Sequence, residues 1–404
     1  MEKRTGLSTN AVIWFGVAVS VSEIEAGIEI GAGAAPGSLW APLVLGHVVG
    51  GIFLFFVGLV GARVRVNAME TTAAVYGKGG SRFFASLNLL QLVAWIAVLN
   101  AQGASVLAGL DLPVSFPLTC ALLAALIALW VFAGLRRFAK VAAVVMAVLA
   151  VLLAALTARL FGVGASSAAA APAPAHALGF WNVFEISMAL PLSWLPVISD
   201  YTKDVEKPVR ATAVSAIAYS LASFWMYFIG LEIAGAGADN DIAKAILLAG
   251  FGIPGIVVVV LSTVTTNFLA ANSAGESAKA IVPGLNPKTA GVAASAAAAA
   301  LAISGIMDHY IDFLYLVASV FAPMAAVLLV SHYSAPRPEG EDGASPATGR
   351  ASRIWNLSAW LAGFVVYQAA VRLDSVFLGP TLASVLVAAA ISYIWVLKNK
   401  FQST

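Results

Sequence analysis

Three glutamates, Glu23, Glu25 and Glu29, interrupt an apolar segment that runs from Ala11 to Ala35. The segment has the length of a membrane span, and a charged side chain at mid-membrane costs about 2.5–3.5 kcal/mol on insertion scales. Polar groups in such a segment are therefore candidates for a solute or ion pathway. At about 100° per residue, Glu25 and Glu29 share a helix face and Glu23 points elsewhere. We expect Glu23 to face an internal cavity and the other two to line a wet outer vestibule.

Three further apolar segments carry polar groups, near 82–110, 180–199 and 248–279, and the last contains the hydroxyl- and amide-rich run LSTVTTNFLAANSAGES. Pro191 and Pro196 each remove a backbone donor in mid-segment and predict an interrupted helix. Ser20 and Ser22, which precede several glycines, are a weaker signal of the same kind. Interrupted helices at matching places in two halves indicate a midplane binding site in an inverted-repeat transporter. The helix breakers alone are equally compatible with two ordinary kinked helices.

The amino-acid composition indicates what kind of protein holds these polar side chains in place. The chain has 404 residues, of which 61% are hydrophobic and 10% charged, with a mean hydropathy of +0.92 and a net charge of +2. No soluble core absorbs this much apolar sequence, and the near-neutral charge predicts no nucleic-acid partner. The single cysteine, Cys120, excludes a disulfide framework and a thiolate metal cluster. The sequence predicts a polytopic membrane protein without an obligate protein partner.

Apolar runs of about 20 residues predict about twelve α-helical spans. They lie near 10–34, 39–62, 82–110, 113–133, 137–160, 180–199, 209–235, 248–279, 288–306, 308–332, 353–373 and 377–397. The four histidines, His47, His176, His309 and His332, lie in different spans and loops without metal-ligand spacing, and we interpret them as packing or surface residues.

The distribution of Lys and Arg predicts the orientation. With the N-terminus inside, Arg159, Lys244 and Arg372 lie outside and the other 19 of the 22 Lys and Arg residues lie on the cytoplasmic side. This asymmetry follows the positive-inside rule. We therefore expect a multi-pass protein of the cell's inner (cytoplasmic) membrane with both termini in the cytoplasm.

Several motifs together resemble the nucleobase:cation symporter-1 family, which includes the cytosine, allantoin and hydantoin permeases. They are SWLPVISDYTK at 193–203, YGKGGS after the second span, TTN in the eighth, and a tenth span with Pro323 in mid-helix. The resemblance covers essentially the whole chain, in order. SWLPVISDY and the form VSVSE in the first span look most like the branch assigned to hydroxymethylpyrimidine, the thiamine precursor.

The resemblance implies an all-α, LeuT-type fold with two inverted five-helix repeats and two additional helices. The first repeat would occupy 10–160 and the second 180–332, followed by a cytoplasmic loop at 333–352 and the accessory helices at 353–397. It also implies a sodium site formed by the hydroxyls of Thr265 and Thr266, the carbonyl of Ser262, and carbonyls at the break in the first span, placed at Val19 and Ser22. Thr and Ser side chains can instead bond to a carbonyl of their own helix.

The substrate implied by the resemblance is a flat heteroaromatic that is held by stacking and a few directed hydrogen bonds. Where relatives carry a second aromatic residue, this chain has Pro191, so we expect either a one-sided stack or recruitment of Trp194. The expected substrate-binding residues are the acceptor Glu23, the stacking Trp95, Ser193 and Trp194 in the sixth span, and the amides Gln91, Asn100, Asn267 and Asn272.

These features predict a secondary active importer of a pyrimidine-like solute, most similar to a hydroxymethylpyrimidine permease, with Na+ as coupling ion and no organic cofactor. The alternative is a proton-coupled permease for cytosine or another nucleobase that uses Glu23 or Glu185 as proton carrier. An enzyme or a channel lacks support, because no catalytic Ser/His/Asp set, acidic metal cluster or pore-filter motif is present in the sequence. The expected partners are the small-molecule substrate and the lipid bilayer.

Overall fold

The computed structural model describes residues 4–35, 37–110, 113–167, 177–236, 239–334, 349–373 and 378–402, and all regular elements in these ranges are helices. Most of the cytoplasmic loop predicted at 333–352 lies outside the described residues, since 335–348 are not among them.

The first half of the chain folds into seven helices. They are α1 (Leu7–Ala18), α2 (Val21–Gly33), α3 (Trp40–Val64), α4 (Ala68–Thr71), α5 (Ala73–Gly109), α6 (Phe116–Ala133) and α7 (Leu135–Ser167). Helix α5 starts earlier than the predicted third span, because the predicted YGKGGS connector is helical on both sides of a kink. Gly77 forms that kink with φ 76°, a left-handed value that a glycine tolerates.

The second half contains α8 (Phe180–Ser193), α9 (Ile198–Thr202), α10 (Pro208–Gly235), α11 (Ile242–Leu248), α12 (Gly252–Ile281), α13 (Pro287–Ile303) and α14 (Tyr310–Ser334). Two C-terminal helices follow, α15 (Arg350–Leu373) and α16 (Gly379–Gln402). The short helix α11, which precedes the eighth span, was not predicted.

Nine helices among the described residues are long and apolar enough to cross a membrane, and α1 with α2 forms a tenth span that is bent by 55°. The shorter α13 and the interrupted pair α8 and α9 lie where the sequence predicts the ninth and sixth spans. This arrangement agrees with the twelve predicted spans.

The break in the first span is an extended piece of backbone. Helix α1 ends at Ala18, and Val19 (φ −80°, ψ 90°) and Ser20 (φ −141°, ψ 159°) separate it from α2. The Ser20 hydroxyl accepts a hydrogen bond from the backbone N–H of Glu23 and caps α2.

The break in the sixth span is a series of tight turns. The N–H groups of Trp194, Leu195 and Val197 each donate to the carbonyl three residues earlier. The prediction that both prolines interrupt this helix is correct for Pro196 and wrong for Pro191. Pro191 lies inside α8, near Gly50 of α3, and the helix continues to Ser193.

Backbone hydrogen bonds join the two broken spans at both ends. Before α1, the Thr5 N–H donates to the Asp204 carbonyl at 2.9 Å, and the Thr5 carbonyl accepts from the Glu206 N–H at 3.2 Å. At the other end, the Leu178 N–H donates to the Gly33 carbonyl at 2.7 Å. Both contacts are isolated parallel bridges. The two broken spans therefore lie side by side in a fixed register.

Helix α2 packs closely against α10 because a glycine of each helix lies in the contact. A Cβ atom on Gly27 would lie 2.2 Å from the Tyr227 carbonyl oxygen, and one on Gly230 would lie 2.2 Å from the Ile24 carbonyl oxygen. Small residues allow this approach of two backbones in a membrane. The contact brings the hydroxyl side chains of α10 against the first turn of α2.

Candidate functional site

A cavity lies where the two breaks face α5 and α12. Its lining residues come from the first break, α5, the second break and α12: Val17, Ser20, Ser22, Glu23, Leu92, Trp95, Leu99, Leu190, Ser193, Trp194, Val197, Thr266 and Ala270. Apolar side chains dominate this wall and a few polar groups converge on it, which is typical of a small-molecule site.

Four of the predicted substrate-binding residues line this cavity. Glu23 comes from the first turn of α2, Trp95 from the middle of α5, and Ser193 and Trp194 from the second break. The Trp95 ring makes edge contacts with Tyr310 and Phe313, at centroid distances of 6.4 and 5.3 Å. These contacts orient the indole that the sequence predicts as the stacking platform.

The four predicted amides do not line the cavity in the described part of the chain; they bridge neighbouring groups instead. Gln91 donates to the Asn88 side-chain oxygen at 2.7 Å, and Asn100 donates to the Cys120 carbonyl at 3.0 Å. Asn267 donates to the Ile96 carbonyl and Asn272 to the Tyr201 hydroxyl, each at 3.4 Å.

Glu23 is almost fully buried, with 1% of its surface exposed, and both carboxylate oxygens have partners. The Tyr219 hydroxyl donates to Oε1 at 2.6 Å, and the Ser223 hydroxyl lies 2.7 Å from Oε2. Neither partner was predicted from the sequence. The available signal was a hydroxyl at every fourth position of the seventh span, at 215, 219, 223 and 227, which places a polar row on one helix face.

The other two glutamates of the first span have different surroundings. Glu29 is exposed, as expected for a vestibule residue, whereas Glu25 is only half-buried and bonded to its neighbours. Gln102 of α5 donates to the Glu25 carboxylate at 2.5 Å and accepts from the Ser22 hydroxyl, also at 2.5 Å. Gln102 thus connects α5 to the first turns of α2.

Next to the cavity, Thr266 of α12 meets the end of α1, whereas Thr265 contacts carbonyls of its own helix. Thr266 Oγ1 lies 3.2 Å from the Gly16 carbonyl oxygen, 3.4 Å from that of Val17 and 3.1 Å from that of Val19. Thr265 Oγ1 lies 3.2 Å from the Ser262 carbonyl oxygen and 2.8 Å from that of Leu261. Hydroxyl and carbonyl oxygens are the ligands that a hard cation prefers.

Of the five predicted cation ligands, Val19 and Thr266 meet at the end of α1, and Ser262 and Thr265 contact each other within α12. Among the described hydrogen bonds, Ser22 contacts neither pair. Ser22 lies in the first turn of α2, and its hydroxyl bonds to Gln102. The last carbonyls of a helix lack intrahelical partners, so Gly16 and Val17 at the end of α1 offer oxygens where the family resemblance implied Ser22. Among the described residues, no cluster of three or more His, Cys, Asp or Glu side chains suits a metal ion.

A cluster of aromatic rings and an ion pair lie beside the cavity. The Trp14 ring makes edge contacts with Trp194, Tyr201 and Tyr219 at centroid distances of 6.0–6.1 Å. Beyond this cluster, Lys203 Nζ lies 2.6 Å from the Glu276 carboxylate.

Two interrupted helices around a central cavity, in two helical repeats, define a LeuT-type transporter fold. Mhp1, a nucleobase-cation-symport-1 family transporter, in a closed conformation with bromovinylhydantoin bound, superposes with a TM-score of 0.67 at 18% identity, over 98% of this chain and 94% of that one. A Na+-coupled sialic acid symporter in a substrate-bound outward-open state superposes with a TM-score of 0.72 at 11% identity, over 96% and 89%. At these identities the similarity establishes the fold.

The family follows from the sequence match. The family model described as permease for cytosine/purines, uracil, thiamine, allantoin matches residues 1–389, so this chain belongs to that permease family. The cytosine permease of Escherichia coli K12 is 22% identical over 330 residues, which cover 81% of this chain and 78% of that protein. The predicted family, fold class and multi-pass membrane character are confirmed. The hydroxymethylpyrimidine branch stays a prediction.

Proposed function

We propose that this protein imports a pyrimidine-like heteroaromatic together with Na+ across the cytoplasmic membrane, with both termini in the cytoplasm. Hydroxymethylpyrimidine is the proposed substrate. The observation that carries the proposal is the position of Thr266, which lines the cavity and also contacts three carbonyl oxygens at the end of α1. A cation held there would share a residue with the substrate site.

The proposed Na+ ligands are the carbonyls of Gly16, Val19 and Ser262 and the hydroxyls of Thr265 and Thr266. They come from α1, its break and α12, so a bound cation would fix the break relative to α12. Glu23 lies four residues beyond Val19 in the chain and faces the same cavity. A cation that stabilises the break would pre-organise Glu23 for the substrate, which is positive coupling between the two ligands.

The proposed substrate lies flat against Trp95 and hydrogen-bonds at its edges. Glu23 accepts from a ring N–H or an exocyclic amine, and Ser193 and Trp194 approach from the second break. The Ser193 hydroxyl donates to the Leu190 carbonyl at 2.7 Å, so its oxygen can accept from the substrate. Stacking on one indole with a few directed hydrogen bonds suits a planar pyrimidine.

A proton-coupled permease for cytosine or another nucleobase is the second candidate, because Glu23 is a buried acid on the cavity wall. Glu185, the other candidate carrier, is less suited to this role. One of its oxygens accepts from the backbone N–H of Thr381 at 3.1 Å, in the first turn of α16, and Glu185 does not line the described cavity.

Uptake into proteoliposomes separates these proposals. Labelled hydroxymethylpyrimidine, cytosine and allantoin are offered in turn, with a sodium gradient or a pH gradient imposed separately. We expect concentrative uptake of hydroxymethylpyrimidine with an inward sodium gradient. Accumulation driven only by the pH gradient would select the proton-coupled alternative, and preference for cytosine or allantoin would correct the substrate.

A further inference from the structure

A chain of hydrogen bonds runs from the cavity wall into the helix bundle. It starts at Glu23 Oε2, which lies 2.7 Å from the Ser223 hydroxyl oxygen. That oxygen lies 3.0 Å from Nε2 of His47 in α3. On the other side of the ring, His47 Nδ1 lies 2.7 Å from the Ser187 hydroxyl and 3.0 Å from the Leu43 carbonyl. Glu23, Ser223 and His47 are each at most 3% exposed.

The Ser187 end of this hydrogen-bond chain requires one proton on Nδ1 of His47. The Ser187 hydroxyl lies 2.5 Å from the Leu43 carbonyl oxygen, and two oxygens at that distance need a proton between them. Only Ser187 can supply it, because a carbonyl has none. The Ser187 oxygen is then an acceptor toward His47, so Nδ1 must carry a hydrogen. Nε2 faces Ser223 with either a lone pair or a second hydrogen.

At the Glu23 end of the hydrogen-bond chain, the contacts then need one more proton than the Ser223 hydroxyl supplies. Its two contacts, His47 Nε2 to Ser223 and Ser223 to Glu23, need one hydrogen each, and the Ser223 hydroxyl supplies only one. The second must be a dissociable proton, either on Glu23 or on His47 Nε2. We propose that Glu23, Ser223 and His47 form a binding site for one proton beside the substrate cavity, separate from the oxygens at Thr265 and Thr266.

The surroundings favour a neutral site. The titratable groups that face it are Tyr219 and Tyr227 from α10, and Tyr219 donates to Glu23. The Tyr227 ring lies against His47 at 4.8 Å, and its hydroxyl donates to the Ile186 carbonyl. Gln102 from α5 is uncharged and bonds to Glu25. No described ion pair connects Glu23 to a Lys or Arg. A buried carboxylate without a cation is costly, and the proton on either Glu23 or His47 removes the net charge.

The site has two neutral arrangements that differ in what the substrate meets. In one, Glu23 is a carboxylic acid and His47 is neutral. In the other, the proton has left Glu23 Oε2 for the Ser223 oxygen while the Ser223 hydroxyl proton has passed to His47 Nε2. No proton enters or leaves, and Glu23 becomes a carboxylate opposite an imidazolium. The second arrangement presents a strong acceptor to substrate N–H groups.

Proton counting tests the site without substrate, so the result does not depend on the proposed transport function. The purified full-length protein, in nanodiscs with fixed NaCl, is titrated from about pH 5 to about pH 8, the range in which histidine-linked sites change charge. Relative to the wild type, Glu23→Gln and His47→Gln should each release about one proton fewer. The double variant should also release about one fewer rather than two, because the two groups share one proton.

Three outcomes would overturn the shared site: unchanged counts in either single variant, or an additive loss of two protons in the double variant. Where His47→Gln fails to fold, Ser223→Ala tests the same point, since it removes the bridging hydroxyl and uncouples Glu23 from His47. The buried Glu23 should then keep its proton through this pH range, so this variant should also release about one proton fewer. His332→Gln is the matched control, as His332 is another buried histidine, in α14. Glu23→Gln should still remove about one proton in that background.

Discussion

The two broken spans differ in how the backbone N–H and C=O groups at the break find hydrogen-bond partners. In the first, Val19 and Ser20 are extended, and three carbonyls at the end of α1 approach a hydroxyl of α12. In the second, successive turns pair the N–H groups of the break with its own carbonyls, and Asn88 of α5 donates to the Pro196 carbonyl at 3.2 Å. An extended break leaves oxygens free for a cation, whereas a compact break leaves few.

The two breaks contribute different chemical groups to the cavity. The first break contributes carbonyls and an acid, which suit a cation and a hydrogen-bonded substrate edge. The second contributes Ser193, the Trp194 ring and apolar side chains, which suit the face of a heteroaromatic. The two breaks therefore line one cavity with different chemical groups.

The largest expected effect comes from removing the hydroxyl that meets the first break. Thr266→Ala should abolish sodium stimulation of uptake, because Thr266 is the only one of the two threonines whose hydroxyl contacts α1 among the described hydrogen bonds. Sodium dependence of uptake in proteoliposomes measures this. Thr263→Ala is the matched control, since Thr263 is buried on the same helix and its hydroxyl has no hydrogen-bond partner in the described structure. Normal sodium dependence in Thr266→Ala would remove the proposed site.

The stacking residue should give the next largest effect. Trp95→Ala is expected to weaken substrate binding by about 1–3 kcal/mol, the range for stacking of a base on an aromatic side chain. Trp95→Phe should recover part of the loss. Equilibrium binding of labelled pyrimidine at saturating sodium measures both variants. Wild-type affinity in Trp95→Ala would show that the ring does not stack on α5.

Glu23→Gln distinguishes the two coupling models at the first break. Hydrogen bonds to a charged group contribute about 1.5–3 kcal/mol, so we expect weaker substrate affinity with sodium-driven accumulation retained. With Glu23 as an obligatory proton carrier, accumulation would be lost while substrate exchange across the membrane survives. Glu29→Gln is the control, because Glu29 is exposed and should change little. Loss of accumulation in Glu29→Gln alone would move the functional acid outward.

The smallest expected effect on transport belongs to the second break. Asn88→Ala removes the donors to Pro196 and Ser277, which are both buried contacts. We expect about 1–3 kcal/mol of lost stability, seen as a lower unfolding temperature, because a buried carbonyl loses its donor. Sodium affinity should stay near that of the wild type. A large loss of sodium affinity would show that the second break also contributes to the cation site.

The sequence predicted the span pattern and the family, because apolar runs and motif order are properties of the chain itself. The four residues Glu23, Trp95, Ser193 and Trp194, which were predicted to bind substrate with the help of the family resemblance, line one cavity. The sequence did not predict which partner each amide takes. Asn100 and Asn267 have neighbouring carbonyls within reach, and in a tightly packed bundle such a carbonyl competes with a cavity for the same donor.

Two further differences have local causes. Pro191 does not end α8, because the helix accommodates the proline against Gly50, and only Pro196 falls in the break. His47 reads as a packing residue when its segment is taken alone. Its significance depends on Ser223 and Glu23, which are distant in the chain and meet only through the close contact of α2 with α10.

The parallel bridges at Thr5 and Leu178 limit how the cavity can open. These backbone hydrogen bonds join the two broken spans near both of their ends. One span therefore cannot slide along the other without breaking main-chain hydrogen bonds. If both spans tilt together, or bend at the two breaks between the bridges, these hydrogen bonds stay intact. Because the bridges use only backbone atoms, side-chain substitutions in either span leave these hydrogen bonds, and the shared motion of the two spans, in place.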